Sequence, residues 1–507
     1  MRSLDDPPAP MTAQPDGIRR AAVSGVAWSL VQSWGGRIAS TAAFVALART
    51  LDPDDFGVIA LAVIFIDLGQ MLINRGFGAS IIQREELTDE DLDSAFWFSV
   101  AAGAALAVVC VATAGLLADA FDEPPLASVL RVLALNWVFG ALSSVPQSVL
   151  QRELRFRSLA LRRLLAVCVS GAVGVTLAVA GAGVWSLVVM ALVQSGVGVI
   201  VLWSVSSWRP RWRLSVARLR AMRRFAAGVV GIDFVRFFSV RGEAFLVGAA
   251  VGPIPLGYYA VATRFLQLLN EVFTSTVGTV AFPVFSRLQD DDARRRRALF
   301  SVVRMCALAA FPAFCGLAVL APEFIATVLG SRWAPSVILS QLLALTGLRH
   351  SISYFIANVV LSTGNAPLAL QIQIVGVVVK AVALAIGVQW GVEGVAWAVL
   401  ISSYATFPVA LWSLRRTTGI APRDYLVNVS RPALAAATMV VAVVGVRALV
   451  NGLGDAATLV VGTVIGAITY VATLAVVAPS LFRELRGFLA DAGRRRARVP
   501  ASPEAVL

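Results

Sequence analysis

Several cationic side chains lie inside the long apolar segments of this 507-residue chain. A charge at the centre of a bilayer costs at least about 2.5–3.5 kcal/mol, so such residues usually face a water-filled cavity or a partner. Arginine suits phosphate because its planar guanidinium forms two parallel hydrogen bonds and stays protonated. These residues therefore indicate a binding site for an anionic phosphate group. The predicted substrate-binding cations are Arg37, Arg75, Arg236, Arg241, Arg264 and Lys380.

Acidic side chains are embedded in the same segments and allow two interpretations. As structural contacts, Asp233 can pair with Arg236 one helical turn away, because residues three apart share a helix face. Arg241 can likewise pair with Glu243 or with a neighbouring helix. Alternatively, the carboxylates can couple transport to Na⁺ or H⁺. The surplus of cations favours a positively charged cavity in either case. The candidates for ion coupling or charge pairing are Asp67, Asp233, Glu243 and Glu271.

The apolar segments that carry these charges predict a membrane protein. Hydrophobic residues make up 58% of the chain and charged residues 14%, with a mean hydropathy of +0.79, whereas soluble domains are about a quarter charged. Runs of about 20 apolar residues match the thickness of a bilayer. We predict an all-α polytopic membrane protein with about 14 transmembrane helices. The predicted spans are 21–48, 56–82, 95–117, 126–148, 159–181, 184–205, 225–250, 256–284, 301–321, 337–361, 368–389, 393–413, 432–450 and 457–478.

The arginines are unevenly distributed among the segments that connect these spans. If the N-terminus is cytoplasmic, 31 arginines fall on the cytoplasmic side and four on the opposite side. Cytoplasmic loops attract positive residues in this way, so both termini are predicted to be cytoplasmic. The same bias explains the net charge of +13 without a nucleic-acid partner. It also predicts contacts with anionic membrane lipids.

Short internal matches predict two similar halves. Residues 51–62 align without gaps on residues 251–262, with proline, glycine and alanine at matching positions. Transporters built from two such bundles bind substrate between them, so we predict two pseudo-symmetric six-helix lobes around a central cavity, followed by two C-terminal helices. The predicted regions are a cytoplasmic tail at 1–20, an N-lobe at 21–206, an Arg-rich cytoplasmic linker at 207–224, a C-lobe at 225–414, two further spans within 432–478 and a basic cytoplasmic tail at 479–507.

Scarce residue types exclude several kinds of chemistry. The single histidine, His350, and the four cysteines show no metal-ligand spacing, so the sequence predicts neither a metal centre nor a disulfide framework. Nucleotide-binding glycine loops and nucleophile elbows are also missing from the sequence. We therefore predict no cofactor and no enzymatic activity. The polar first 20 residues predict no cleavable signal peptide, so the first span is expected to stay in the membrane.

Several stretches of the sequence, taken together, resemble a known family. The stretch LDPDDFGVIALA, followed by RGFGASIIQREELTDEDLDSAFW, is similar to the second-span region of bacterial polysaccharide flippases of the Wzx class. The similarity continues in GPIPLGYYAVATRF, in FPAFCGLAVLAPEFIATVLGSRWAPS and in GVEGVAWAV. It extends from about Leu51 to Arg416 and covers most of the chain. The family belongs to the multidrug/oligosaccharidyl-lipid/polysaccharide exporter superfamily.

The resemblance implies an alternating-access carrier in the bacterial plasma membrane. Such a carrier would move undecaprenyl-diphosphate-linked oligosaccharide to the outer leaflet for the synthesis of lipopolysaccharide or exopolysaccharide. Glycosyltransferases and a polysaccharide polymerase are the implied partners. This sequence has Glu243 where the family has an aspartate, which departs from the pattern. Family members line their cavity with cations on the first, second, seventh and eighth spans, and the comparable residues here are Arg37, Arg75, Arg236 or Arg241, and Arg264.

Three other functions fit the sequence less well than a flippase. A drug exporter similar to the MATE proteins should have a net acidic pocket, whereas the embedded charges here are mostly cationic. A membrane glycosyltransferase or polymerase usually needs a sizeable extracytoplasmic loop, and the predicted loops on that side are short. A scaffold without transport activity would leave the embedded cations unexplained.

Overall fold

The computed structural model describes residues 34–83, 87–153, 155–217, 220, 234, 237, 238, 240–275, 292–450, 452 and 454–479, with the side chains of all of these except 74–80, 82, 83, 274, 275, 292 and 366. Nearly all of these residues are helical, and no strand occurs among them. The predicted all-α class is therefore confirmed. The chain divides into two compact units, Met1–Phe245 and Leu246–Leu507.

The first unit is a bundle of long helices joined by short turns. α2 begins with a proline followed by two aspartates. Proline suits a first turn because its missing N–H needs no partner there, and acidic side chains favour the positive end of the helix dipole. The helices are α1 (34–50), α2 (Pro53–Gln83), α3 (Asp89–Ala120), α4 (Pro124–Leu133), α5 (Leu135–Arg152), α6 (Phe156–Val179), α7 (Val184–Val205) and α8 (240–250), which contains the division between the units.

Helix α3 starts with a reciprocal pair of side-chain caps. The Thr88 hydroxyl accepts a hydrogen bond from the backbone N–H of Asp91 at 3.3 Å, and the Asp91 carboxylate accepts one from the N–H of Thr88 at 3.0 Å. Two backbone donors that lack partners within the helix are satisfied in this way. The sequence thus fixes the start of this 32-residue helix locally.

The chain that follows α7 packs against the start of α3. The Asp93 carboxylate accepts a hydrogen bond from the backbone N–H of Arg211 at 3.1 Å, and the indole N–H of Trp97 donates to the carbonyl of Arg211 at 2.9 Å. The rings of Trp97 and Trp212 are stacked, with their centroids 3.8 Å apart. The beginning of the predicted linker 207–224 is therefore attached to α3.

The second unit is also helical throughout its described part. Its first helix ends in a π-helical turn, Glu271–Ser275. Glycine occupies several of its connections, such as Gly330 with φ of 105° and Gly419 with φ of 70°, because other residues rarely adopt positive φ. The helices are α9 (Pro253–Asn270), α10 (Asp292–Val328), α11 (Ser336–Ser362), α12 (Ala366–Gly387), α13 (Gly391–Ala405), α14 (Phe407–Thr418), α15 (Pro422–Leu449) and α16 (Asp455–Val477).

Hydropathy identifies most of these helices as candidate membrane segments. Within the described residues, nine helical segments are long and apolar enough to cross a bilayer. The predicted multi-pass membrane class is therefore confirmed. The count of about 14 spans, the cytoplasmic location of the termini and the limits of the predicted regions remain predictions.

Helix ends depart from the predicted spans at several points. The predicted span 126–148 consists of α4 and α5, with a one-residue interruption at Ala134, and the predicted span 393–413 is interrupted at Thr406, just before Pro408. Hydropathy cannot detect such interruptions because the residues on both sides are equally apolar. The segment 321–336, predicted as a loop or an interfacial helix, continues α10 to Val328 and then forms a short 3-10 turn.

An ion pair joins α10 to α15 in the interior of the second unit. The Arg447 Nε donates to the Glu323 carboxylate at 2.6 Å, and Nη1 of the same guanidinium donates to the carbonyl of Val319 at 3.0 Å. Glu323 is buried. The two charges neutralise each other, which a low-dielectric interior requires of buried ions.

Close packing of α10 on α11 depends on a glycine. Phe314 on α10 is fully buried, and its ring lies over Gly347 on α11. A Cβ atom at position 347 would lie 2.3 Å from Cε1 of that ring. Since real Cβ contacts are much longer, any larger residue would force the two helices or the ring to shift.

We expect Gly347→Ala to lower the free energy of unfolding by about 1–3 kcal/mol, the usual cost of overpacking a core. Gly376→Ala on α12 is the matched control, because a Cβ there meets no atom within 4 Å and alanine is the better helix former. Melting temperatures of the purified proteins in one detergent test the difference. Equal melting temperatures for Gly347→Ala and the wild type would contradict the packing described here.

Candidate functional site

A polar cavity of about 970 Å³ lies inside the first unit. Helices α2, α5, α6 and α7 supply most of its wall. The lining positions recur with helical spacing, for example Ala191, Gln194, Ser195 and Gly198 on one face of α7. Carboxamides and a hydroxyl dominate the uncharged polar lining, which consists of Gln70, Asn136, Gln147, Gln151, Gln194 and Ser195.

Two glycines let α2 and α5 approach closely enough to form this wall. The Trp137 indole packs on Gly69, where a Cβ would lie 2.4 Å from the ring, and its N–H donates to the carbonyl of Ile66 at 2.8 Å. Gln70 lies over Gly140 in the same way, since a Cβ there would be 1.9 Å from the amide nitrogen. These contacts fix the turn of α2 that carries Asp67 and Gln70.

Arg162 is the cation that α6 contributes to the cavity. Its Nη1 donates to the Gln147 side-chain carbonyl at 2.8 Å. The guanidinium lies over Gly198 of α7, where a Cβ would meet Nε at 3.4 Å. A neighbouring arginine, Arg163, also lines the cavity and is exposed. Together they give this wall of the cavity positive charge.

Two buried amide oxygens in the cavity wall have no hydrogen-bond partner among the described residues. They are Oε1 of Gln70 and Oδ1 of Asn136. A buried acceptor without a donor costs about 1–3 kcal/mol, so such atoms normally bind water or a ligand. Both oxygens are enclosed within the wall and do not lie at the accessible surface of the cavity.

Asp67 on α2 is paired with Arg241 on α8. The Arg241 Nη2 lies 2.5 Å from the Asp67 carboxylate, and both side chains are a little more than a third exposed. Phe245, on the same helix as Arg241, makes edge-to-face contacts with Phe65 and Phe121. Arg241 thus contacts a carboxylate on another helix and neutralises it in the cavity wall.

Among the side chains that the structure describes, the other predicted residues of the first unit do not line this cavity. Arg37 on α1 is half-buried, with its guanidinium over the Trp34 ring at 5.7 Å. Glu243 lies on α8 and is half-buried. Three predicted residues lie outside the described side chains, namely Arg75, Asp233 and Arg236.

In the second unit, two of the predicted residues interact with each other. Arg264 near the middle of α9 is half-buried and interacts electrostatically with Glu271, which begins the π-helical turn and is exposed. Lys380 is half-buried on α12. The predicted binding set is thus divided between the units as far as its side chains are described, and its role as one site remains a prediction.

Sequence reasoning missed the polar wall of the cavity. The 31 arginines of the predicted cytoplasmic side include Arg162 and Arg163, and the uncharged carboxamides do not appear among the embedded charges. A usable pattern was present, because Gln147 and Gln151 lie one turn apart on α5, and Gln194 and Ser195 lie on one face of α7. Polar residues at helical spacing within apolar segments indicate a face that avoids lipid.

The family of this chain follows from its match to a family model. The model, described as "Polysaccharide biosynthesis protein", matches residues 46–338, which is more than half of the chain. The chain belongs to the polysaccharide biosynthesis protein family. This confirms the predicted relationship to polysaccharide flippases of the Wzx class.

Named relatives are similar over most of their length. The succinoglycan biosynthesis transport protein ExoT of Rhizobium meliloti is 27% identical over 468 residues, covering 91% of this chain and 94% of the relative. The lipopolysaccharide biosynthesis protein WzxC of Escherichia coli is 24% identical over 378 residues, covering 73% and 76%. These relatives support the predicted class, a polysaccharide transport protein rather than an enzyme.

Solved structures show the same fold at low sequence identity. The lipid II flippase MurJ, in an inward closed conformation, has a TM-score of 0.75 at 14% identity, covering 90% of this chain and 99% of that chain. An inward-facing MATE multidrug resistance transporter has a TM-score of 0.59 at 14% identity, covering 76% and 95%. This chain therefore shares the fold of these two proteins.

We expect Asp67→Asn and Arg241→Gln each to lower the melting temperature, because each leaves an uncompensated charge in the wall of the unit. The double variant should be more stable than the sum of the two effects implies, since neither charge remains. Melting temperatures of the four proteins in one detergent and one salt concentration provide the test. Arg131→Gln, which removes an exposed arginine at the end of α4, is the control. Strictly additive effects would show that the two side chains do not interact.

Proposed function

We propose that this chain is a flippase for polyprenyl-diphosphate-linked oligosaccharide, acting by alternating access in the bacterial plasma membrane. The observation that carries this proposal is the polar cavity of the first unit, in which carboxamides and arginines face inward from helices that are otherwise apolar. The named relatives support a role in the synthesis of surface polysaccharide.

The carboxamides provide the contacts that a sugar chain needs while it crosses the membrane. Burying a hydroxyl in hydrocarbon without a hydrogen bond costs several kcal/mol, on the order of 4–8 for full transfer. Each carboxamide can donate and accept, as sugar hydroxyls do.

The cations would hold the diphosphate group of the lipid. Arg162 presents a guanidinium inside the cavity, and the predicted set contributes further cations such as Arg37 and Arg264. Guanidinium groups bind phosphate oxygens in pairs through short, charge-assisted hydrogen bonds. The polyprenyl chain would stay in the hydrocarbon of the bilayer while the headgroup moves.

The membrane potential supplies a driving force without a coupled ion. An inside-negative potential favours outward movement of an anion by about 2.3 kcal/mol per charge for every 100 mV. Asp67 is the only carboxylate that lines the cavity within the described residues, and Arg241 neutralises it. The same neutralisation argues against an exporter of cationic drugs, which would need free negative charge in its pocket.

Directionality would come from the orientation of the chain and from its partners. With both termini in the cytoplasm, the positive surface faces the side on which glycosyltransferases complete the lipid-linked oligosaccharide. A polysaccharide polymerase would consume the product on the outer side. The flippase would thus connect these two steps.

The proposal predicts that Arg162→Gln reduces the rate of glycan transfer at least tenfold, because charge-assisted hydrogen bonds contribute about 1.5–3 kcal/mol each. The rate is measured with a leaflet-resolved assay of lipid-linked oligosaccharide in spheroplasts, at matched expression. Arg131→Gln is the control, since Arg131 is exposed and lies outside the cavity lining. Arg37→Ala and Arg264→Ala test the predicted cations in the same assay. Full activity in Arg162→Gln, Arg37→Ala and Arg264→Ala would refute the role of the cations in holding diphosphate.

A further inference from the structure

The second unit contains a small pocket that differs in character from the cavity of the first unit. Its volume is about 260 Å³, and it lies between α10, α11, α14 and α15, close to the end of α13. Apolar side chains such as Phe311, Ile352 and Phe407 make up most of the wall. Two strongly polar side chains line it, those of Arg349 and Tyr404, together with the weakly polar thiol of Cys315.

Arg349 lies at the centre of a span that was predicted from the sequence, although α11 is not one of the nine segments that hydropathy selects among the described helices. It is the fourteenth of the 27 residues of α11, whose limits agree with the predicted span 337–361. A cation at this depth is costly and is a functional candidate by default. Arg349 is not among the embedded charges that are predicted from the sequence to bind substrate.

The guanidinium of Arg349 has no hydrogen-bond or ion-pair partner among the described residues, and its Nε is buried. Arg447 of the same unit differs from Arg349 because it binds both Glu323 and a backbone carbonyl. Buried cations in membrane helices are normally paired. The positive charge of Arg349 is therefore available to a ligand.

The pocket is shaped so that a chain can enter beside the charge. Ala433, Ala436 and Ala437 occupy one face of α15 and leave room that larger side chains would fill. Ala433, Ala437 and Tyr404 are exposed, so the pocket opens at the surface of the unit. The Tyr404 hydroxyl donates to the carbonyl of Leu345 at 3.0 Å, which fixes the ring within electrostatic range of Arg349.

We propose that this pocket binds the phosphate headgroup of a lipid, with Arg349 contacting the phosphate and the apolar walls contacting the start of the hydrocarbon chain. A free inorganic ion fits poorly, because only two strongly polar side chains are present to replace its hydration shell. A neutral lipid leaves the guanidinium without a partner. A phosphate joined directly to an apolar chain satisfies both the charge and the walls.

This site is distinct from the cavity of the first unit, and its existence does not require that the chain be a flippase. Two sources of the same chemistry are present in a bacterial membrane, polyprenyl phosphates and phospholipids. The small volume favours a headgroup that bears a single chain, because a two-chain lipid must leave one chain outside the pocket.

The test measures ligand-induced stabilisation of the purified full chain in a neutral detergent. The probe is farnesyl phosphate, with farnesol and inorganic phosphate as the uncharged and chain-free comparisons. We expect only farnesyl phosphate to raise the melting temperature. An equal shift with inorganic phosphate or with farnesol would overturn the proposal. Competition by phosphatidylglycerol, compared with a longer polyprenyl phosphate, identifies the source, and displacement of the probe by either supports the site.

Variants separate binding from folding. Arg349→Gln should weaken binding of farnesyl phosphate at least tenfold while keeping or raising the melting temperature without ligand, because it removes an unneutralised charge. Ala437→Leu should weaken binding by filling the mouth of the pocket with the arginine intact. Val441→Leu, on the exposed face of the same helix, is the control and should bind normally. Unchanged binding in Arg349→Gln, or a large loss of stability in that variant without ligand, would overturn the proposal. Because the assay does not measure transfer, its failure is distinguishable from failure of the proposed flippase activity.

Discussion

The hydrogen-bonding and charge requirements of polar groups in an apolar bundle govern the organisation of this protein. In the first unit, the contact of Trp137 with Gly69 brings α2 and α5 together, and the contact of Gln70 with Gly140 turns a carboxamide inward. The missing side chains of the two glycines make this approach possible. Without it, the polar faces of these helices would meet lipid, where unsatisfied groups cost several kcal/mol. The cavity and its chemistry therefore depend on helix packing as much as on the polar residues themselves.

Charge balance differs among the arginines of the described helices, and the differences indicate their roles. Arg447 is held by Glu323, and Arg241 is held by Asp67, so these cations contribute to the structure of their units. Arg162 has an amide partner and no carboxylate among the described residues, which leaves its positive charge uncompensated. Arg349 lacks even an amide partner there. Identical side chains thus serve as internal contacts or remain available to a ligand, according to what the neighbouring helix provides.

Much of the fold could be predicted from the sequence, because hydropathy and segment length report directly on membrane helices. The limits of α7 and α16 agree with the predicted spans to within about two residues. Hydropathy does not reveal the interruptions at Ala134 and Thr406, although Pro408 is a sequence signal for the second, because proline suits only the first turn of a helix. The candidate site was predicted only in part. Embedded charge predicts a role for Asp67 and Arg241. The carboxamide wall is not predicted, because single glutamines within apolar helices resemble ordinary polar substitutions.

The attachment of residues 211 and 212 to α3 affects how motion can pass along the chain. The Trp97–Trp212 stack and the hydrogen bonds of Arg211 connect the exit from α7 to a helix that lies four helices earlier in the sequence. A pull on the chain beyond residue 217 would reach α3 and α7 together instead of bending α7 alone. A displacement of residues 211 and 212 would therefore act on the start of α3 and the end of α7 at once.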